Sequence, residues 1–331
     1  MRPGGDTLAL AGLGLGVALV PLGVTSQYHL SIGVFIGIHA IVTIGLCLVM
    51  GYAGQISLGH AAFYGLGAYA SGLLTTKLGA NPWAAMAGAM ALTAGVAYAL
   101  GRPILRLRGH YLAMATLAFG IIAYLAFVEF KELTGGPSGL AGIPRLRVGG
   151  FVFDTDRKFF YLTWGGVIAV VALSLNVVNS RVGRALRAIH GSEVAAETLG
   201  VDTAAYKLRV FTLSAVYAAL AGSLYAHYLS FVSPPTFGFI ASVEFVVMAA
   251  VGGLASVWGA PFGAATVTLL TEVIRDVMPR LLAYASGEHE VIAYGLLLIL
   301  IMIFVPEGLT VGGLRALRRL GRAGRRVPAA P

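Results

Sequence analysis

Charge is scarce in this sequence. Of its 331 residues only 11% are Asp, Glu, Lys or Arg, while 58% are hydrophobic. A soluble globular chain is about one quarter charged, so there are too few charges to cover a water-facing surface. The charges are also bunched, which leaves long apolar stretches with none, and that patterning fits lipid as the solvent. Cysteine is nearly absent. Cys47 stands alone in an apolar run, which excludes an intrachain disulfide and a Cys-rich metal site. The sequence holds no Gly-x-x-x-x-Gly-Lys-[Ser/Thr] phosphate loop, no His-Glu-x-x-His pair and no nucleophile elbow in a soluble setting. Gly12-Leu13-Gly14-Leu15-Gly16 sits inside an apolar run, without the strand and acidic partner of a dinucleotide fingerprint. No catalytic residue, metal or cofactor is expected.

What is present points to helices in a bilayer. Gly is abundant, at 45 residues and with no Gly-X-Y period, and in lipid it lets helix backbones approach closely. Apolar stretches long enough to cross as helix lie at 8–23, 30–50, 83–101, 111–130, 159–178, 210–231 and 291–305. The run at 8–23 lacks a convincing cleavage site and is read as a retained span. Two more regions, 51–76 and 242–276, are long but interrupted by Gly and Pro. The net charge of +9 gathers in short loops and the tail rather than on one surface. That arrangement speaks for membrane orientation and against nucleic acid. With 102–108, 181–209 and the tail placed in the cytoplasm, parity gives about ten transmembrane or re-entrant helices with both termini cytoplasmic. The expected fold is an all-α polytopic membrane protein. Its transmembrane domain covers 1–312, with a cytoplasmic loop at 180–209 and an outer loop at 131–158, and a basic cytoplasmic tail follows at 313–331.

Three stretches invite a mechanism. In 51–63, Gly54, Gln55, Ser57, Gly59 and His60 put polar and small residues at membrane depth. Buried polar groups without partners cost several kcal/mol there (roughly 2–7 on transfer scales), and broken helices line substrate paths in transporters. The other reading is a hairpin turn that only connects. His60 has no second ligand at helical spacing. In 253–263 a similar interruption carries Ser256, and Glu244 precedes it. An intramembrane carboxylate is a functional candidate, while a carboxylate at the interface is merely solvated. In 180–209, Ser192 and Glu193 open a short helix that stops at Gly200. Ala195, Ala196 and Leu199 would form a small apolar face for a soluble partner's groove, against a plain solvated loop. The outer segment carries Thr134-Gly135-Gly136-Pro137-Ser138, either a binding surface or a connector. With no nucleotide site, uphill movement of a solute would need a partner or an ion gradient.

Taken in order, GYAGQISLGHAAFYGLGAYAS (51–71), LTGGPSGL (133–140), RVGRALRAIHGSEVAAETLGVDTAAYKLRVF (181–211), AGSLYAHYLSFVSP (221–234), VVMAAVGGLASVWGAPFGA (246–264) and YGLLLILIMIFVPEGL (294–309) resemble the permease subunits of branched-chain amino-acid ABC importers of the LivM type. The resemblance implies a bacterial inner-membrane protein paired with a second, similar permease. Two cytoplasmic ATPase subunits would drive it, and a periplasmic substrate-binding protein would deliver leucine, isoleucine or valine. Similar permeases serve urea and short amides. An ion-coupled secondary transporter is the competing class, and it would need carboxylates inside several spans. On the importer reading Gly54, Gln55, Ser57, Gly59, His60, Glu244 and Ser256 are the expected transport pathway. The resemblance implies that 181–209 is the coupling loop, and ATPase coupling is expected at Glu193, Ala195, Ala196, Leu199 and Gly200, with binding-protein contact at Thr134, Gly135, Gly136 and Ser138. Many importer permeases carry Glu-Ala-Ala followed three residues later by Gly. Here Val194 stands where that Glu would be, with Glu193 one place early.

Overall fold

The computed structural model describes residues 3–24 and 26–281, together with Gly295. The expected span at 291–305, apart from Gly295, and the basic tail at 313–331 lie outside these residues. The helices are α1 (Pro3–Gly23), α2 (Gln27–Leu46, prolonged by a π-helical stretch Cys47–Tyr52), α3 (His60–Thr76), α4 (Pro82–Ile104), α5 (His110–Glu129), the single turn α6 (Lys131–Thr134), α7 (Asp156–Asn179), α8 (Arg181–Gly191), α9 (Glu193–Thr198), α10 (Thr203–Leu229), α11 (Phe239–Gly252) and α12 (Gly259–Leu281). Strands are confined to two-residue pairs: β1 (Leu140–Ala141) with β4 (Phe231–Val232), and β2 (Arg147–Val148) with β3 (Phe151–Val152).

Among the described residues, Gln27–Tyr52, Pro82–Ile104, His110–Glu129, Asp156–Asn179 and Thr203–Leu229 are long and apolar enough to cross a membrane. Thr7–Gly23 and Phe239–Gly252 are shorter apolar helices. The chain is a helical, multi-pass membrane protein. Local signals in the sequence set several of its boundaries. Asn81 caps α4 by accepting from the Trp83 amide at 2.9 Å, and Pro82 occupies the first helical position, where its missing N–H costs nothing. Thr155 caps α7, so that helix begins a few residues before its apolar run.

The two ends of the bundle differ. The turn at 105–109, α8 and α9 lie at one end, called here the basic end. The 131–155 segment and the 230–238 connection lie at the other. There a hairpin is present as β2–β3, and β1 joins the segment to the chain after α10 through β4. The Trp83 indole donates to the Arg147 carbonyl at 2.8 Å, which ties the start of α4 to the same end.

The middle of the core is the parallel pair α3 and α10. Gly67 rests on the Ala219 backbone, and Gly222 on the Tyr64 carbonyl, with no room for a Cβ at either position. The Ser223 hydroxyl donates to the Gly67 carbonyl at 3.1 Å across the same crossing. This is the small-residue packing that substitutes for hydrophobic drive between helices in lipid. Around its outer half, Tyr64, Tyr69, Phe127, Tyr225, Phe237 and Phe245 form an aromatic cluster, with Tyr69 stacked on Phe127 at 4.7 Å and Tyr64 edge-on to Phe237 at 5.3 Å. Each such pair adds about 0.5–1.5 kcal/mol beyond the area it buries.

This crossing predicts an asymmetry between glycines. Gly222→Val forces a side chain into backbone and should cost at least about 1–3 kcal/mol. It is expected to abolish the monodisperse peak in detergent gel filtration. Gly165→Val, on α7 with open space around it, should leave the peak and the melting temperature within a degree or so.

Candidate functional site

The two interrupted regions break where their sequences suggested, and they break against each other. The π-helical end of α2 brings Gly51 onto the Leu254–Ala255 backbone, too close for any Cβ. The break between α2 and α3 runs through 53–59, and the one between α11 and α12 through 253–258. Gly54 takes φ +68, where Gly avoids the left-handed penalty, and packs on His190 of α8. Gly59 lies flat on the Thr116 carbonyl of α5 without space for a side chain. Both breaks therefore belong to the half of the bundle nearer the basic end.

His60 sits at the first position of α3, fully buried. Its Nδ1 is 2.8 Å from the Ser57 hydroxyl, and its Nε2 is 2.6 Å from the Ser214 hydroxyl of α10. Both ring nitrogens are thus satisfied within the chain, and edge-on rings of Phe63 and Phe211 close around it. Ser214 lies five residues beyond Arg209, the last charged residue of α10, or about 7 Å along the axis. Gln55 folds back, donating to the Ala53 carbonyl at 2.9 Å. Ser242 of α11 accepts from the Ala61 amide at 3.0 Å. Of the sequence-predicted group, Ser57 and His60 are brought together in a polar clasp with Ser214, while Gln55 bonds back to Ala53. Ser256 lies beside the same region but caps α12 by accepting from the Gly259 amide at 3.0 Å. Glu244 stands apart, half-buried on α11 among apolar residues, and forms no hydrogen bond or ion pair among the described residues.

A second clasp was not anticipated from the sequence. His227 near the end of α10 places Nε2 2.7 Å from the Ser71 hydroxyl of α3 and Nδ1 2.6 Å from the Pro144 carbonyl. A carbonyl only accepts, so Nδ1 carries the proton and Ser71 donates to Nε2. The α3–α10 pair is thus fastened at both ends by a Ser–His contact, and the outer one also holds the 131–155 segment. Ser71 and His227 are 156 residues apart, so nothing in their local sequence marks the pairing. Two buried hydroxyls within the aromatic cluster, those of Tyr64 and Tyr69, have no partner among the described residues.

At the basic end the expected cap is present. Ser192 accepts from the Ala195 amide at 3.2 Å, α9 spans Glu193–Thr198, and Gly200 turns the chain at φ +80. The expected apolar face of Ala195, Ala196 and Leu199 divides, with Leu199 just past the end of α9 at its C-cap. Ala196 points into the protein, while Ala195 and Leu199 are exposed, Leu199 at 82% and its neighbour Val194 at 60%. Glu193 also turns inward, 2.5 Å from the Lys207 ammonium. At the outer end, the Thr134 hydroxyl donates to the Phe127 carbonyl at 2.7 Å and accepts from the Gly136 amide at 3.1 Å. Thr134 and Gly136 are buried, and only Gly135 and Ser138 of that group face out.

The chain matches the family model described as the permease component of the branched-chain amino acid transport system over residues 28–306. It is 34% identical to the high-affinity branched-chain amino acid transport system permease protein LivM of Escherichia coli strain K12, over 88% of this chain and 73% of that protein. Against LivM of Salmonella typhimurium the identity is 33%, over 82% and 67%. The permease protein LivH of Escherichia coli K12 is 27% identical, over 82% of this chain and 90% of that protein. Among solved structures, PsaBC from Streptococcus pneumoniae in complex with Fab superposes with a TM-score of 0.44 at 16% identity, over 87% of this chain and 95% of that chain.

The unpaired phenol makes a simple expectation. A buried hydroxyl without a partner costs about 1–3 kcal/mol, so Tyr64→Phe should raise the melting temperature in detergent, whereas His60→Leu, which strands two serine hydroxyls, should lower it. Differential scanning fluorimetry of the two variants checks the signs. By its matched family model and its likeness to the LivM proteins, the chain belongs to the branched-chain amino acid transport system permease family.

Proposed function

We propose that this chain is a transmembrane subunit of an ATP-driven ABC importer that carries leucine, isoleucine and valine into the bacterial cytoplasm across the inner membrane. In this reading it pairs with a second, similar permease, and two cytoplasmic ATPase subunits drive the pair. A periplasmic binding protein delivers the amino acid to the outer face. The chain supplies no catalytic group. The observation that carries the reading is the capped helix α9 at the basic end. With its C-cap it presents Val194 and Leu199 outward, as a helix bound for a partner's groove does.

The path itself lies beside the opposed breaks of α2–α3 and α11–α12, whose freed backbone groups need company other than lipid. Gly54, Gly59 and His60 frame that region by close packing, so a substitution there acts through the fold as well as through the path. Glu244 is the carboxylate available on α11, and an intramembrane carboxylate is a functional candidate in its own right. Gly135 and Ser138 are the outward-facing residues of the outer segment, to which the binding protein comes. Ten crossings with both ends in the cytoplasm agree with the parity of the basic loops.

The docking claim predicts a separation of assembly from insertion. Leu199→Glu puts a charge on the exposed C-cap of α9 without touching a buried contact. It should leave the level of membrane-inserted protein unchanged and reduce ATPase subunits recovered with the tagged permease by about tenfold. Recovery at the unmodified level would remove α9 from the ATPase interface.

A further inference from the structure

We infer that Lys207 is a positioning residue that latches α9 to α10 and to the turn after α4, so that movement imposed on α9 is delivered to the core of the bundle. The inference rests on the proposed docking of an ATPase at α9, and it adds a residue that such docking does not require. Lys207 lies on the first turns of α10 with its side chain only 3% exposed. Lys is almost never buried unless paired. Here its ammonium meets Glu193 Oε1 at 2.5 Å and the Leu105 carbonyl, at the end of α4, at 3.2 Å. The other oxygen of Glu193, Oε2, is 3.5 Å from Arg108 Nε. Arg108 Nη2 reaches Glu197 Oε1 at 3.7 Å, and that oxygen also accepts from the Thr203 hydroxyl at 2.8 Å. Both ends of α9 are therefore held to the start of α10 and to the α4–α5 turn, along the floor of a cleft of about 650 Å³.

A buried ion pair is weak evidence for stability, because desolvation offsets its attraction, and its best-attested use is to fix register. The register fixed here is that of α9 on α10. Seven residues further along α10, about 10 Å at the helical rise, Ser214 holds His60 at the start of α3. A push on α9 thus has a continuous route of charged and hydrogen-bonded contacts to the break between α2 and α3. Glu193, one place ahead of the usual acidic position, faces this latch and not the partner.

The test uses the whole transporter, with ATPases, partner permease and binding protein, reconstituted in liposomes, and reads leucine imported per ATP hydrolysed. Lys207→Met should assemble and yet lower that ratio about tenfold, while Lys207→Arg, which keeps the charge and the donors, should retain most of it. A wild-type ratio in Lys207→Met, or an equal loss in both variants, overturns the latch. Should Lys207→Met fail to assemble, Glu193→Gln breaks the same pair without a change of shape. Its ratio should fall likewise, and an unchanged ratio overturns the proposal. Failure of the docking reading is seen separately, as undiminished recovery of ATPases with Leu199→Glu.

Discussion

The contact between α3 and α10 is the constraint from which the rest of this bundle follows. Two parallel helices, far apart in sequence, lie backbone to backbone because Gly67 and Gly222 allow it. His60–Ser214 and Ser71–His227 then fix their register at either end. Hydrophobicity cannot supply such register in lipid, where the surroundings are as apolar as the side chains. Directional hydrogen bonds can, and their neutral ring nitrogens are fully used. The outer histidine also seats the 131–155 segment through Pro144. The inner one stands where α2 ends and α3 begins, so the helix break is anchored and not loose.

The opposed breaks show how a membrane bundle accommodates irregular backbone. Gly51 on Leu254 and Gly59 on Thr116 are approaches that leave no room for a Cβ, and Gly54, packed on His190, takes a left-handed φ. Each puts a freed peptide group against protein instead of lipid. The glycine count of this chain thus has a positional meaning at these points, beyond general helix packing. At the basic end, α8 buries Gly183, Leu186 and Ile189 and leaves its arginines in solvent, so α8 and α9 sit firmly on the bundle while their outer faces stay free.

Much of this was legible in the sequence, for identifiable reasons. Lipid as solvent, the apolar helices, both interruptions and the Ser192-to-Gly200 helix all rest on local rules of length, breaking and capping. The structure shows the helices, the interruptions and the cap wherever it describes the residues. Less legible was anything set by distant partners. Ser71 and His227 carry no local signal of their pairing. The inward turn of Glu193 meets Lys207, which reads in the sequence as one more basic residue of a cytoplasmic loop. Thr134 and Gly136 look like surface residues in a Gly-rich segment, yet their hydrogen bonds turn inward on α5. Sequence located the region of the candidate site, and long-range packing decided which side chains face it.

The most direct test of the central claim is leucine accumulation in proteoliposomes that hold this chain with its partner permease and ATPases. Binding protein is supplied on one face and ATP on the other. The account predicts uptake that needs all components together and stops when ATP is withheld. Leucine movement by this chain alone, without ATP and driven by an ion gradient, would contradict it.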